Sequence, residues 1–356
     1  MDKKGLSIKD IKNIFKYVFD VFKKLAEISL TDKILLLTHT DMDGAGPAIL
    51  LRVLFPNIVV KHCTNAAMDS EIEKTLTDPE TGEQFDAVII CDISCKLETA
   101  ERIDKNMAVK KVVLLDHHIT ATDLNRFSWA VVCPEVLEGS WFEKMGLVHS
   151  SGTSLLYNYL EYLGLNQEFP DIDKAEEFVF LITGYDTWDW VNVFMSDSKF
   201  YNMQTLFEQY DMLEFERVFT EKLLNGEQLI GETEELLLRI AHNKKQAYLD
   251  TIEPWVKTGC VQMPDGRIYN FAYVQANQYI GDVYNRLKEL HPESDFYIVD
   301  YGKGVSIRTD KDINLGALAK PLGGGGHPGA AGIRINSDLR LRILKTVFQT
   351  DNLYFD

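Results

Sequence analysis

The stretch "HTDMD" (39–43) places one imidazole and two carboxylates within five residues, at the end of an apolar run. Two carboxylates so close repel each other unless something positive lies between them. Asp92 ends a second apolar run, "VIICD", and Asp116, His117 and His118 end a third, "LLDHH". Asp186 and Asp189 follow in "GYDTWDW". A single aspartate after a strand commonly caps the next helix. Several strand ends carrying Asp or His toward one place point instead to a divalent metal, which removes the repulsion. Carboxylates alone would suit magnesium or calcium, and added imidazoles shift preference toward manganese, iron or cobalt. One aspartate shared by two ions gives the two-metal arrangement that serves phosphoryl hydrolysis.

The elements that must position these groups are short, solidly apolar strands at 33–39, 58–63, 86–94, 111–118 and 129–134, separated by helical stretches. Continuous rather than alternating apolarity predicts strands buried on both faces of a parallel α/β sheet. In such a sheet ligands bind outside the carboxyl ends of the strands, where the polar residues lie. The predicted organisation is an N-terminal amphipathic helix (1–30), a metal-binding α/β domain (31–195), a helical connector (196–254) and a smaller α/β domain (255–350). The second domain is expected to carry strands near 258–263, 268–275, 295–301, 304–309 and 331–335, with a helix at 278–290. Its run "GGGGHPGAAG" (323–332) lets backbone amides approach a phosphate closely. The stretch "HSSGTS" (149–154) reads either as a phosphate cradle at a helix start or as ordinary capping, and is left out of the site.

Composition narrows the partners. The 356 residues hold 54 Asp plus Glu against 37 Lys plus Arg, a formal net charge of -17. Long nucleic acid binds through Lys and Arg, so a chain this acidic is not expected to hold a long duplex. Five cysteines without a CxxC pair favour a reducing compartment, each thiol read as a small buried hydrophobe. No apolar run is long enough to span a bilayer, and lysines interrupt the N-terminal apolar stretch where a signal peptide would have none. A cytoplasmic protein is expected; a homodimer is compatible with this reading.

"HTDMDGAG", "CDIS", "DHH" and "GYDTWDW" resemble the four successive motifs of the DHH phosphoesterase superfamily, and "GGGGHPGAAG" resembles the signature of its DHHA1 C-terminal domain. The motifs run in order from residue 38 to 332. The resemblance implies two divalent ions, most simply Mn²⁺, in a cleft between two α/β domains. Asp41 and His39 would hold one ion; Asp43, His117 and Asp186 the other; Asp92 would bridge them. Asp116 would orient a histidine, and His118 would meet the substrate phosphate. On the second domain Arg308, His327 and Gly323, Gly324, Gly325 and Gly326 would bind the rest of the substrate. One spacing departs from several relatives: His39 stands two residues before Asp41 rather than four. Asp189 is read as a helix or turn residue beside Asp186, which is taken as the ligand of the two.

Within the superfamily, pyrophosphatases lack the Gly-Gly-Gly-His loop, RecJ-type exonucleases add an oligonucleotide-binding barrel and a basic track, and membrane-bound cyclic-dinucleotide enzymes add spanning helices. The sequence looks most like an oligoribonuclease (nanoRNase) of the NrnB type. It would release mononucleotides from short RNA oligonucleotides. The alternatives are a pAp phosphatase or dinucleotide phosphodiesterase, and a catalytically silent nucleotide-binding protein.

Overall fold

The computed structural model describes residues 20–262 and 266–335. The chain divides into two units between Leu238 and Arg239. Most of the predicted N-terminal helix lies outside the described residues. Its described end, Asp20–Lys24, is one short 3₁₀ turn whose Phe22 is fully buried.

Five parallel strands form the sheet of the first unit: β1 (Ile34–Thr38), β2 (Val59–His62), β3 (Ala87–Cys91), β4 (Lys111–Asp116) and β5 (Ala130–Val132). Their order is β2-β1-β3-β4-β5. Side chains alternate across a strand, and here both sets are apolar. Leu36, Ile89 and Val113 enter one core with α1 (Met42–Leu54), α2 (Gly152–Leu163) and α3 (Ile172–Asp186). Leu35, Leu37, Val88 and Ile90 enter the other with Ile72, Ala100 and Ile103. β2 departs from the expectation of burial on both faces. It is the edge strand, and Val59 is 44% exposed.

Two helices in the stretch read as the start of a connector, α4 (Ser198–Tyr210) and α5 (Met212–Asn225), pack into the first core. Phe200, Met203, Phe215 and Phe219 are fully buried there, and α5 lies against α1. The division of the chain falls inside the next helix, α6 (Glu232–Ile252).

In the second unit β6 (Lys257–Gln262), β7 (Ile268–Gln275), β8 (Phe296–Asp300), β9 (Gly304–Arg308), β10 (Gly325–His327) and β11 (Ala330–Arg334) form a mixed sheet ordered β10-β11-β9-β8-β7-β6. α7 (Ile280–Leu290) packs on β8. The glycine run is only partly a loop. Gly325, Gly326 and His327 pair antiparallel with Gly332, Ala331 and Ala330. Three of the five cysteines are buried as expected, but Cys133 is half-buried and Cys260 lies exposed on β6.

One buried group makes the first unit sensitive to pH. Glu161, on α2, has Oε2 buried without a hydrogen-bond partner. Burial and the neighbouring Glu176 carboxylate raise its pKa to about 7, with Lys144 opposing. The folded state therefore keeps a proton that the unfolded chain releases near pH 4.5. Stability from this group is full below that pH and falls as pH rises through 7. Glu161→Gln is expected to raise the thermal unfolding midpoint at pH 8 by an amount equivalent to on the order of 2 kcal/mol, partial solvent exposure allowed for. Most of that gain should vanish at pH 5. Equal shifts at both pH values would show that the carboxyl is not protonated in the fold.

Candidate metal centre and active site

The loop after β1 is built tightly enough to aim its polar side chains. Thr38 Oγ1, buried, donates to the Gly44 carbonyl at 2.9 Å. Asp41 caps α1, its Oδ1 accepting from Gly44 N at 2.9 Å. A Cβ on Gly44 would lie 2.4 Å from the His39 carbonyl oxygen, so the close turn requires glycine. His39 Nδ1 lies 2.6 Å from Asp41 Oδ2. That hydrogen bond raises the His39 pKa against the effect of burial. Burial would raise Asp41, yet the bonds from His39 and the Gly44 amide bring it below the ordinary value.

Asp43, in the first turn of α1, points into the core and is 1% exposed. Its carboxylate is held by the start of α2, where Gly152 N donates to Oδ2 at 2.7 Å and Thr153 N to Oδ1 at 3.1 Å. Thr153 Oγ1 also donates to the Asp43 carbonyl at 2.9 Å. The amides read as a phosphate cradle or a simple cap are thus committed to a candidate ligand. Anions favour such a helix start because its first N–H groups lack intrahelical partners.

Asp92 follows β3 in the left-handed region, φ 61°. Few residues adopt that conformation, and aspartate is among the more tolerant. Gly152 packs directly on it; a Cβ there would come within 2.5 Å of Asp92 Cβ. Asp92 is 3% exposed, and Oδ2 has no hydrogen-bond partner. Burial, then the charges of Asp43, Asp41, Asp186 and Asp116, push its pKa well above the carboxylate range.

Asp116 ends β4, fully buried. Its Oδ1 accepts from His117 N at 2.8 Å and lies 2.7 Å from His118 Nδ1. Burial would raise Asp116, but the His118 bond and the charges of both histidines bring it below the usual value. The same bond, opposed by burial, lifts His118 to about 9. Asp116 therefore fixes the turn and presents His118, whose side chain is 56% exposed. His117 turns the other way. Its Nε2 is 3.3 Å from Asp92 Oδ1, 3.6 Å from Asp186 Oδ2 and 3.8 Å from Asp43 Oδ2. Asp186 ends α3, its pKa raised well above normal by burial and by Asp43 and Asp41, with His118 opposing.

These residues separate into groups able to hold a cation. Asp43, His117 and Asp186 form one, and His39, Asp41 and Asp92 another, each offering ligand atoms within 4.8 Å of one another. Asp92, Asp116, His117 and His118 form a third and overlap both. The residues fit divalent metal. Asp92 Oδ2 and Asp186 Oδ2 are buried without hydrogen-bond partners, a state that costs several kcal/mol unless the charge is compensated, and imidazole joins carboxylate in the donor set.

Three features escape the sequence. His62, at the end of β2, has Nδ1 2.7 Å from the His39 carbonyl oxygen and Nε2 2.7 Å from Glu216 Oε1. Glu216, on α5, is 2% exposed and also pairs with Arg52 at 3.1 Å. Burial disfavours charge on His62, but Glu216 and the His39 carbonyl raise its pKa nonetheless. Asp189 opens a short helix (Asp189–Asn192), in keeping with its reading as a helix or turn residue, and the partners it holds there are the third feature. It is fully buried and accepts from Val148 N at 2.7 Å and His149 N at 3.1 Å. "HTD" followed later by a lone "KHC" carried no periodic signal that could pair them.

On the second unit Arg308 lines a cavity of about 310 Å³ with Gly325, Gly326, Tyr301 and Ser306. Its guanidinium carbon stands 5.4 Å from the centre of the Tyr284 ring. His327 is exposed on β10, and Gly323 takes φ 75° just before that strand.

The first unit is thus a parallel sheet with an Asp/His cluster, able to hold a metal ion, at its carboxyl edge, and the second is a mixed α/β unit. The DHH family N-terminal domain matches residues 33–183 and the DHHA1 domain residues 273–350. Together they cover more than half of the chain, which belongs to the DHH phosphoesterase superfamily, hydrolases of phosphoester bonds. Among curated relatives, oligoribonuclease NrnB of Bacillus subtilis (strain 168) is 29% identical over 327 residues, 89% of this chain and 76% of that protein. The solved pGpG-specific phosphodiesterase PggH from Vibrio cholerae is 15% identical, with a TM-score of 0.47 over 89% of this chain and 98% of that one. RecJ in complex with Mn²⁺ from Thermus thermophilus is 14% identical, with a TM-score of 0.46 over 98% of this chain and 56% of that one. No described helix is long and apolar enough to cross a membrane.

Proposed function

We propose that this protein hydrolyses short oligoribonucleotides to mononucleotides, using two divalent ions, Mn²⁺ in preference to Mg²⁺. The observation that carries the reading is His117 Nε2, set within 3.3–3.8 Å of carboxylates from the ends of β3 and α3 and the start of α1. Asp43, His117 and Asp186 would hold one ion, Asp41 and His39 the other, and Asp92 would serve both. Such ions supply Lewis acidity to water and to the scissile phosphate. Water oxygen bonds to phosphorus, the bond from phosphorus to the leaving sugar oxygen breaks, and the proton lost by water ends on that oxygen. His118, held by Asp116, donates to a phosphate oxygen as negative charge gathers there. On the second unit, Arg308, His327 and the Gly323–Gly326 backbone would form a nucleotide-binding surface. The cavity beside Arg308, about 310 Å³, is large enough for a nucleotide.

Short substrates are favoured because affinity for a long strand needs a cationic track, which a net charge of -17 does not supply. With manganese present, 5′-labelled oligoribonucleotides from two to 24 residues, pAp and cyclic dinucleotides should be compared. The expected result is kcat/KM at least about tenfold higher for a trimer than for a 24-mer, about 1.4 kcal/mol in transition-state binding. Faster turnover of the 24-mer would refute the length preference, and exclusive cleavage of pAp would replace the substrate.

A further inference from the structure

We propose that His149 is a second phosphate-contacting imidazole of this active site, presented by the buried carboxylate of Asp189. The inference rests on the reading above that the substrate carries nucleotide phosphates. His118 and His149 are built alike. In each, Nδ1 lies 2.7 Å from a fully buried aspartate oxygen, Asp116 for His118 and Asp189 for His149. The two side chains are 56% and 44% exposed. Each aspartate also binds the backbone N–H of its own histidine. Burying a carboxylate is costly unless its oxygens are satisfied; Asp189 is satisfied by two amides and this one ring. The arrangement fixes the imidazole and leaves Nε2 to face solvent or a ligand.

The chain path brings His149 to the same edge of the sheet. Cys133 N, directly after β5, donates to the Asp116 carbonyl at 2.9 Å. Ser150 N donates to the Pro134 carbonyl at 2.8 Å, and His149 bridges Glu135. His149 is thus paired with the segment that leaves β5, and β5 is the neighbour of β4, whose end carries the Asp116–His118 turn. It also lies three residues before Gly152, which holds Asp43, while Asp189 lies three residues after Asp186. One end of the dyad thus adjoins the helix start that holds Asp43, and the other lies just beyond the candidate ligand Asp186. A nucleotide phosphate in this active site is the group such an outward Nε2–H would meet.

The test uses the full protein with manganese, bis(p-nitrophenyl) phosphate as substrate and AMP as competitive inhibitor. His149→Ala is expected to raise the Ki for AMP at least about tenfold, with the thermal midpoint within about 2 °C of the parent. His149→Gln, which can still donate an N–H, should fall between the two. A Ki unchanged in His149→Ala, absence of AMP inhibition in the parent, or a rise in Ki matched by a fall in the thermal midpoint would overturn the proposal. Failure of the parent to cleave any oligonucleotide would refute the substrate reading instead, since the AMP measurement does not depend on it.

Discussion

Asp92→Asn is expected to lower turnover of a trinucleotide by at least about a thousandfold, roughly 4 kcal/mol of transition-state stabilisation, with the fold retained. Asparagine is the informative replacement. It keeps the shape and tolerates the left-handed backbone that Asp92 occupies at φ 61°, whereas alanine would add strain to the loss of charge. The size of the effect follows from where Asp92 sits. It belongs to the group with His39 and Asp41, and its Oδ1 is 3.3 Å from His117 Nε2, so it touches both halves of the centre. Steady-state kinetics, with circular dichroism to verify folding, would decide. A loss under tenfold would mean that the two halves do not share this carboxylate.

Removing metal should have the other large effect. Dialysis against EDTA is expected to reduce activity to background, with Mn²⁺ restoring it well above Mg²⁺ because imidazole joins carboxylate in the donor set. Stability should respond as well. Asp92 and Asp186 are both driven above the carboxylate range by burial and by neighbouring negative charge, a repulsion that a bound cation relieves. A ligand that binds only the folded state raises the midpoint by mass action, so millimolar Mn²⁺ should raise it by several degrees. Full activity in a preparation shown by elemental analysis to be metal-free would end the two-metal reading.

The sheet of the first unit was legible because both faces of β1, β3 and β4 are apolar, leaving polar residues only where the strands stop. His39, Asp41, Asp92, Asp116, His117 and His118 stand out by that contrast. What could not be read is what holds them. Asp43 is gripped by amides 109 and 110 residues away, and Arg52 meets Glu216 across 164 residues. Such contacts leave no periodic trace. Glu216 is hidden besides by its setting, one carboxylate between Phe215 and Phe219 on an otherwise apolar face of α5. The strand β10 was illegible for a different reason. Glycine weakens a strand and usually marks a loop, yet here it admits a close antiparallel partner.

The Glu216–His62 contact also sets the smallest piece of this protein that could work by itself. The DHH family match stops at residue 183, and a fragment cut there would lose Asp186, Asp189 and Glu216 together. Cutting after Asp189 would restore two of the three but leave His62 Nε2 facing an empty place. It would also strip Phe215, Phe219 and Leu223 from the core of the sheet. A fragment that keeps the His39 loop anchored has to run at least through Asn225, the end of α5. Any attempt to graft, swap or shorten the metal-binding half should take its boundary from that helix and not from the last recognisable motif.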